Sequence, residues 1–330
     1  MAEIRKSHRD YTVGWLCALP IETAVSKAML DRLHPSLPQP GNDHNVYTLG
    51  ELYGHNVAIA CLPSGVYGTT SASIVAAQML NTFPAIRFSL LVGIGGGVPD
   101  GDTDIRLGDV VVSKPKHTYG GVAQYDYGKT VATGHFQRTG ALNKPPSILL
   151  AGISRLEADH IISSSRISEY LAQMMARYPA TKRFSYPGSE CDTLFDTVYQ
   201  HYDPQDKACL RCDPDRRILR NLRTSDVPHI HYGLIASGNQ VMKDGMMRDR
   251  ISKDLDDGVL CFEMEAAGLM DNFPCLVIRG ICDYADSHKN KHWQPYAAAV
   301  ASAYAKELLS VIPVYEKRAR DRHTEGVNDV

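Results

Sequence analysis

Six apolar runs of strand length recur along the chain, and they constrain the fold more than any other feature. Each is a nearly continuous series of aliphatic residues rather than an alternation of apolar and polar ones, and strands of that kind are buried on both faces. Segments with helical periodicity separate several of them, at residues 70–83, 248–257 and 295–312. The pattern predicts an α/β sheet covered by helices. The six runs are residues 12–19, 56–62, 87–94, 109–113, 231–237 and 275–281.

The composition excludes several classes of protein. A chain of 330 residues with 44% hydrophobic and 22% charged side chains is typical of a globular protein. A net charge of −2 supplies neither the basic field that nucleic acid requires nor a membrane-binding patch. The first apolar run is broken by Gly14 and ends at Pro20, which is typical of a strand and not of a signal sequence. We therefore expect a cytoplasmic protein without a nucleic-acid or membrane partner.

Residues from about 115 to 230 interrupt this succession of strands and helices. They are rich in turn-forming and polar residues, with one helical segment near 163–177. Because strand patterns of the same type resume afterwards, we interpret residues 1–315 as a single domain with an insertion at about 130–228. The charged segment 316–330 is predicted to be a flexible tail.

The eight cysteines are scattered, and several lie in apolar runs where a thiol is usually a small buried hydrophobe. The exception is the pair Cys209 and Cys212, with Cys191 and His201 upstream. Such spacing can supply half of a zinc site, but no second C-x2-C or H-x3-H motif follows. A reduced surface loop is therefore favoured, and no metal is predicted.

Two pairs of acidic residues follow apolar runs near the C-terminal end of the chain. Glu263 and Glu265 flank Met264 where a strand gives way to a helix, and Asp283 and Asp286 follow the last run. Ligands bind at the ends of buried strands in open α/β sheets. Each pair alone admits a structural role, but together they indicate a site with hydroxyl acceptors and a proton donor.

A further acid, Glu22, lies in ALPIETAVSKAML, where a strand turns into a helix. A carboxylate in the first helical turn complements the helix dipole, so position alone favours a structural role. The glycine-rich stretch 93–97 follows another strand and would let a ligand approach the backbone closely. It lacks the helix and the downstream acid of a dinucleotide-binding turn, so no cofactor is predicted.

In chain order, the motifs GIGGGV, LGDVVVS, SGN, FEMEAAG and VIRGICDYAD resemble those of the purine nucleoside phosphorylase and methylthioadenosine/S-adenosylhomocysteine nucleosidase superfamily. The chain is more closely similar to fungal nucleoside-phosphorylase-like domains that also occur fused to NACHT, ankyrin or tetratricopeptide modules. The resemblance covers about residues 10–130 and 228–313. It implies a mixed central sheet in a three-layer α/β/α fold, and cleavage of the N-glycosidic bond of a purine nucleoside.

The resemblance also implies a role for each acid. Asp283 corresponds to the acid that protonates N7 of the departing purine, for which its carboxyl group should be held protonated. Glu265 corresponds to the acceptor of hydrogen bonds from the ribose hydroxyls, with Met264 packed against the sugar and Glu263 in support. Glu22 corresponds to the carboxylate that, in the nucleosidase branch, orients and deprotonates water.

Four further positions are assigned by the same resemblance. Ser64 and Gly65 fall in the loop that borders the sugar and the nucleophile. Gly95 and Gly96 would line the anomeric face.

The chain departs from the family where the base binds. Cys282 takes the place of a serine before the catalytic acid and is a weaker hydrogen-bond partner. Asn239 stands for an acid, and Val241 for the aromatic residue that stacks on adenine. A purine is still expected, with adenine favoured.

A phosphorylase binds phosphate beside the anomeric carbon, typically with arginines. The family's arginine is Leu91 here, and the serine that follows is Ile94, so water is favoured as the nucleophile. Arg106 is a candidate replacement, although a structural role is favoured for it. We expect an N-ribohydrolase acting on adenosine or ATP; the alternatives are a phosphate-dependent phosphorylase and a non-catalytic nucleoside sensor.

The segment 206–223 concentrates positive charge. With Lys114 and His117 it could bind the 5′-phosphates of a nucleotide, or it could be a solvated or partner-binding surface. Because members of the family are usually oligomers, a homo-oligomer of at least two chains is also expected.

Overall fold

The structure is a computed structural model that describes residues 6–100, 103–132, 134, 136–203, 205–206 and 209–315. The predicted tail, 316–330, lies outside the described residues. The strands are β1 (Val13–Cys17), β2 (Arg32–Leu33), β3 (Tyr47–Leu52), β4 (His55–Cys61), β5 (Phe88–Gly97), β6 (Val110–Ser113), β7 (Val122–Gln124), β8 (Gly128–Thr130), β9 (Phe136–Arg138), β10 (Ile230–Ser237), β11 (Val259–Glu263) and β12 (Cys275–Asp283). The α-helices are α1 (Pro20–Met29), α2 (Thr69–Thr82), α3 (Ser147–Ile162), α4 (Ile167–Arg177), α5 (Gly245–Asp254) and α6 (Gln294–Val311).

Ten strands form one central sheet. Nine follow the order β11-β10-β6-β12-β5-β1-β4-β3-β2, and β7 pairs with β10; β8 and β9 form a separate hairpin. The pairings of β1 with β4 and β5 are parallel, whereas β12 pairs parallel with β5 and antiparallel with β6. The predicted mixed sheet and α/β class are confirmed.

One half of the sheet closes on itself. Strand β11 pairs with β10 in parallel and also with β5 in antiparallel orientation, where Cys261 lies opposite Gly97 and Phe262 opposite Gly96. As a result, the C-terminal end of β11 lies beside the C-terminal end of β5. All six predicted apolar runs contain strands, and β5 continues to Gly97 because its glycines allow β11 and β12 to approach.

Helix α6 lies at the centre of the fold. It packs on β12 and β5 and also against α1, α3 and α4, and nearly all of its residues are buried. Its small alanines permit this close packing, and a Cβ on Gly280 of β12 would overlap the backbone of Ala297. A Gly280→Val substitution should therefore separate α6 from the sheet.

The predicted insertion contains more regular structure than the sequence indicated. The helix expected near 163–177 is α4, and a second helix, α3, precedes it. Apolar residues of both helices belong to the main hydrophobic core. The apolar face of α3 is therefore part of the domain core. The described residues between 178 and 229 are largely irregular, with short 3-10 turns. No helix in the described part of the chain has the length and apolar character needed to cross a membrane.

Candidate active site

The acids singled out in the sequence meet at the glycine-rich end of β5. Asp283 ends β12 and lies opposite Gly96, and Glu263 ends β11, which reaches Gly96 from another side. Helix α1, which carries Glu22, begins shortly after β1, the other neighbour of β5. Carboxylates that are far apart in sequence therefore surround one strand end.

Glu22 is both a helix cap and a pocket residue. Its Oε2 accepts hydrogen bonds from the N–H groups of Ala18 and Leu19 at 2.8 and 2.9 Å, and its Oε1 accepts one from Ile94 at 2.8 Å. The structural role expected from position is thus present. Burial nevertheless raises the pKa of Glu22, against the opposing effects of Arg279 and these three donors.

A buried cation that the sequence analysis did not single out, Arg279, lies among the acids. Its Nη2 donates to Glu263 and, at 3.2 Å, to Glu265, while Nη1 donates to the Ile94 carbonyl at 3.3 Å. The side chain is 1% exposed, and its Nε has no hydrogen-bond partner among the described residues. The sequence contains one signal for this residue: it is the single charge inside the apolar run 275–281.

The two glutamates of the EME motif have different surroundings. Glu263 accepts hydrogen bonds from the N–H groups of Glu265 and Ala266, and so begins the 3-10 turn that follows β11. Glu265 has one long backbone contact, from Gly68 N–H at 3.4 Å. Burial, opposed by Arg279 and reinforced by Glu263 and Glu22, raises the pKa of Glu265 to about 7. Glu263 thus supports the site, and Glu265 retains acceptor capacity for a ligand.

Asp283 is held by three groups. Its Oδ1 accepts the N–H of Ala285 at 2.9 Å, and its Oδ2 accepts the Cys282 thiol at 3.1 Å. The Lys289 ammonium lies 3.0 Å from Oδ2. Burial alone would lower the pKa of Lys289, but Asp283 raises it above its ordinary value. A protonated Asp283 stays a prediction, and the Lys289 ammonium beside it keeps its own proton.

The glycines of β5 make room for these side chains. A Cβ on Gly93 would collide with both Glu22 and Arg279, and a Cβ on Gly96 would lie 2.8 Å from Asp283 Oδ1. A Cβ on Gly95 would overlap the Cys261 sulfur. The glycine run is therefore required by side chains that enter from three neighbouring elements.

A cavity of about 740 Å³ opens onto this strand end. Glu22, Glu265 and Arg279 lie on its inner wall, while Phe262 and Met264 supply apolar surface. Several other residues named from the sequence also line it: Gly95, Gly96, Val241, Glu263 and Cys282. The geometry suits a ligand with a polar centre and a flat apolar part.

The sequence model of the phosphorylase superfamily matches residues 12–312. The chain belongs to this superfamily. The family predicted from the motifs is thereby confirmed, and with it the expected fold.

Three relatives are similar to the chain over most of its length. A nucleotide-binding leucine-rich repeat (NLR)-like protein of Hyaloscypha variabilis is 47% identical over 304 residues, which are 92% of this chain and 29% of that protein. The 5′-methylthioadenosine/S-adenosylhomocysteine nucleosidase of Mycobacterium bovis is 23% identical, across 92% of this chain and 97% of the enzyme. The ATP nucleosidase Cap17 of Escherichia coli is also 23% identical, across 89% of this chain and 50% of that protein.

A solved structure agrees on the superfamily fold. The Streptococcus pneumoniae 5′-methylthioadenosine/S-adenosylhomocysteine nucleosidase, with a transition-state inhibitor, superposes with a TM-score of 0.56 at 18% identity, covering 92% of this chain and 100% of the other. The chain spans less than a third of the fungal relative and half of Cap17.

Four positions assigned from the superfamily resemblance are not on the cavity wall. One is Asp283, which is 4% exposed, although its neighbours Cys282, Ala285 and Lys289 line the cavity. Ser64 and Gly65 lie in an exposed loop, and the neighbouring Tyr67 lines the cavity in their place. Asn239 accepts hydrogen bonds from the N–H and hydroxyl of Thr69, each at 3.0 Å, and so ties the SGN loop to the start of α2. In this structure Asn239 positions a loop and does not line the cavity.

The predicted phosphate-binding role of segment 206–223 is not supported. Arg220 pairs with Asp192 at 2.8 Å and donates to Tyr284, and Lys114 pairs with Glu157 at 2.7 Å. No described residue of 206–223 lines the large cavity, nor does Lys114 or His117. The sequence showed the charge of this segment, but its carboxylate partners are remote in sequence.

The positions that distinguish phosphorolysis from hydrolysis are apolar, as the sequence indicated. Leu91 is buried in the core, and the Ile94 side chain lines the cavity. Arg106 pairs with Asp104 at 2.9 Å and lines a separate cavity of about 300 Å³. Arg106 therefore has a structural role and does not replace the missing arginine.

Proposed function

We propose that the chain is a purine nucleoside or nucleotide N-ribohydrolase, which cleaves the N-glycosidic bond with water. The observation that carries the proposal is the convergence of Glu22, Glu265 and Asp283 at the end of β5, beside a cavity of about 740 Å³. The raised pKa values of Glu22 and Glu265 are typical of functional carboxylates.

Glu22 is proposed as the base that takes a proton from the attacking water. Three backbone N–H groups fix the orientation of its carboxylate. Its raised pKa makes the ionised carboxylate a stronger base than an ordinary glutamate, which favours general-base catalysis. The water oxygen forms a bond to C1′ of the ribose as its proton moves to Glu22.

Asp283 is proposed to protonate N7 of the purine while the bond between C1′ and N9 breaks. The electron pair of that bond leaves with the base, and the added proton makes the base a neutral leaving group. The Lys289 ammonium, 3.0 Å from the Asp283 carboxyl, keeps its own proton and orients that group; the proton that Asp283 delivers is taken up from solvent beforehand. Glu265 would accept hydrogen bonds from the ribose hydroxyls, and Met264 would pack against the sugar.

The hydrogen bonds that Arg279 already makes favour water over phosphate as the nucleophile. Its two terminal nitrogens already donate to Glu263, Glu265 and the Ile94 carbonyl. An incoming phosphate would have to break these buried contacts and would face the negative charge of Glu22. Arg279 is therefore not free to hold a phosphate beside the end of β5.

Within this activity, we propose a substrate with 5′-phosphates, such as ATP. Three exposed cations without an acidic partner among the described residues, Arg183, Lys243 and Lys291, line the cavity. Cations of this kind can bind a phosphate chain. One relative is named an ATP nucleosidase, which agrees with this class of substrate.

The second candidate is a nucleoside sensor without turnover. One observation favours it: the chain matches 29% of an NLR-like protein at 47% identity. The full set of acids argues against it, because binding alone requires neither a base for water nor an acid for N7.

The deciding experiment is chromatography of adenosine, inosine, guanosine and ATP after incubation with the purified chain, with and without phosphate. We expect free base and ribose, or its 5′-phosphorylated form, at rates independent of phosphate. Glu22→Gln and Asp283→Asn should each lower the rate by about 10²–10⁴-fold. Glu307→Gln is the matched control, because Glu307 is equally buried but bonds to His160 and Ser165 away from the cavity.

The other outcomes are distinct. Ribose 1-phosphate formed only with phosphate would establish a phosphorylase, and binding without release of base would establish the sensor. For the 5′-phosphates, a Lys243→Met/Lys291→Met variant should lower the ratio of ATP to adenosine turnover. Lys114→Met, which is remote from the cavity, should leave that ratio unchanged; an equal ratio in both variants would contradict the phosphate assignment.

A further inference from the structure

Four side chains with metal-ligating atoms come together outside the acid-lined cavity: His201, Cys209, Cys212 and His288. The Nδ1 of His201 lies 3.1 Å from the Cys212 sulfur and 3.7 Å from the Cys209 sulfur. Ligating atoms of His201, Cys212 and His288 lie within 4.8 Å of one another. Bonds of zinc to nitrogen and sulfur imply ligand separations of about 3.3–3.8 Å in a tetrahedral site. The Cys209 sulfur lies outside that 4.8 Å group, so the Cys209 side chain must move closer for all four side chains to surround an ion.

The ring of His201 is oriented as in a metal ligand. Its Nε2 lies 2.7 Å from the backbone carbonyl of Asp203, so that nitrogen carries the proton. The Nδ1 lone pair is thereby directed at the two thiols. A ligating histidine characteristically donates its other ring N–H to a carbonyl or carboxylate in this way.

His288 supplies an independent indication of a ligand. The residue is 8% exposed, and its ring stacks on Phe195 at 4.1 Å. Neither ring nitrogen has a hydrogen-bond partner in the described part of the chain, and the nearest carboxylate oxygen, of Asp286, is 3.9 Å away. Burying a polar group without a partner is unfavourable. A metal ion would satisfy this imidazole.

The turn that carries the cysteines is already ordered around the cluster. The Asp206 carboxylate accepts hydrogen bonds from the N–H groups of Leu210 and Arg211, at 3.0 and 2.6 Å. The Cys212 N–H donates to the Cys209 carbonyl at 3.3 Å. Both cysteines are free thiols. The turn therefore presents two sulfurs to the histidines without a disulfide.

We propose that His201, Cys209, Cys212 and His288 form a structural zinc site. Two thiolates and two neutral imidazoles balance the charge of Zn²⁺ and favour it over harder cations. Four protein ligands leave no open coordination position, which is characteristic of a structural site.

The site joins the irregular segment 178–229 to the segment that follows β12. His288 precedes Lys289, which pairs with Asp283, so the ion fixes a residue that contacts the proposed catalytic acid. The described residues of segment 178–229 have little regular structure, and metal binding supplies folding free energy where packing is limited.

The test is the metal content of the full chain, purified without chelator from zinc-supplemented medium. We expect about one zinc per chain, and less than about one tenth after Cys209→Ser/Cys212→Ser substitution. Cys191→Ser is the matched control, because Cys191 is exposed and outside the cluster. It should retain the metal.

Replacement by Co²⁺ keeps the test decisive if the double variant fails to fold. The wild-type chain should show sulfur-to-cobalt charge transfer and the strong visible absorption of a tetrahedral site. A wild-type chain with no zinc and no such spectrum would overturn the proposal. Equal metal content in the Cys209→Ser/Cys212→Ser variant would do the same, as would a Cys209–Cys212 disulfide in freshly purified protein.

Discussion

Two sites with buried carboxylates differ in how many hydrogen-bond donors and cations surround each carboxylate: the Asp109 cluster and the cluster at the end of β5. Asp109, 1% exposed, accepts hydrogen bonds from Arg223 at 2.6 Å, from His231 at 2.9 Å and from the backbone N–H groups of Arg106 and His229. Although burial alone would raise it, these partners lower the pKa of Asp109 to about 2. This carboxylate is fully compensated, and its role is to hold the chain together.

The cluster at the end of β5 has the opposite balance. Glu22, Glu263 and Glu265 share a single buried cation, Arg279. Burial raises the pKa of Glu22, and that of Glu265 to about 7. The contrast between Asp109 and Glu265 shows that burial alone does not decide whether the pKa of a carboxyl group is raised. An excess of acids over donors leaves proton affinity near neutral pH, which acid–base chemistry can use.

Removal of the buried Arg279 cation should have the largest effect on the free energy of unfolding. Arg279→Met leaves three buried acids without a counter-ion, and we expect a loss of about 3–5 kcal/mol in the free energy of unfolding at pH 8. Arg223→Met leaves Asp109 with its other donors, so the loss should be about 1–2 kcal/mol. Urea denaturation of both variants measures the difference. Equal losses would mean that the two clusters are compensated alike.

Neutralisation of one acid in each cluster should separate activity from stability. Glu265→Gln should lower kcat/KM by about 10²-fold, about 2.7 kcal/mol, by removing an acceptor for the ribose. The free energy of unfolding at pH 8 should be kept or increased, because like charge is removed. Asp109→Asn should instead lose about 2 kcal/mol of stability and keep kcat. Loss of stability in Glu265→Gln without loss of activity would contradict the assignment.

The pH dependence of stability should have opposite signs in the two clusters. The pKa of Glu265 is raised from 4.5 to about 7, so its contribution is complete below pH 4.5 and is lost as pH rises through about 7. The pKa of Asp109 is lowered from 3.8 to about 2, so its contribution is present above pH 3.8 and lost as pH falls through about 2. Each contribution should be on the order of 1–3 kcal/mol.

Chemical denaturation from pH 2 to 8 of wild type, Glu265→Gln and Asp109→Asn measures both slopes. The Glu265→Gln variant should lose the decline between pH 4.5 and 7, and Asp109→Asn the decline at acid pH. An unchanged profile in either variant would show that another group titrates there.

A single methyl group should have the smallest effect. The Cβ of a Gly96→Ala variant would lie 2.8 Å from Asp283 Oδ1 and 2.9 Å from the Ala285 Cβ, so Asp283 must shift. We expect kcat to fall about tenfold, which corresponds to about 1.4 kcal/mol. Gly108→Ala, beside Asp109 at a φ of 90°, should lower stability but leave kcat unchanged. A normal kcat in Gly96→Ala would mean that Asp283 tolerates displacement.

The sequence predicted some features of the site better than others. Glu263 and Glu265 are two residues apart, and Asp283 ends a continuous apolar run, so local pattern was sufficient to find them. Arg279 was not identified from the sequence, because the pattern of a strand does not show which carboxylates an arginine within it contacts. Their carboxylates come from β11 and from the turn after it.

Segment 206–223 is the opposite case. Its cations were visible in the sequence, and a phosphate-binding role was left open beside a solvated or partner-binding surface. Arg220 instead pairs with Asp192, and Arg223 pairs with Asp109. Charge density in a sequence reports the supply of cations, whereas partners that are remote in sequence decide how many remain available to a ligand.

By itself, the sequence determined the α/β class, the six central strands and the superfamily, because continuous apolar runs and short motifs are local properties. Only the tertiary structure decided which charges meet. The closure of β11 onto β5 sets Arg279 among three acids, and the packing of His288 beside Cys212 creates a cluster that neither segment encodes alone. The physical reason is that hydrophobic periodicity acts over a few residues, whereas compensation of a buried charge depends on groups brought together from distant parts of the chain.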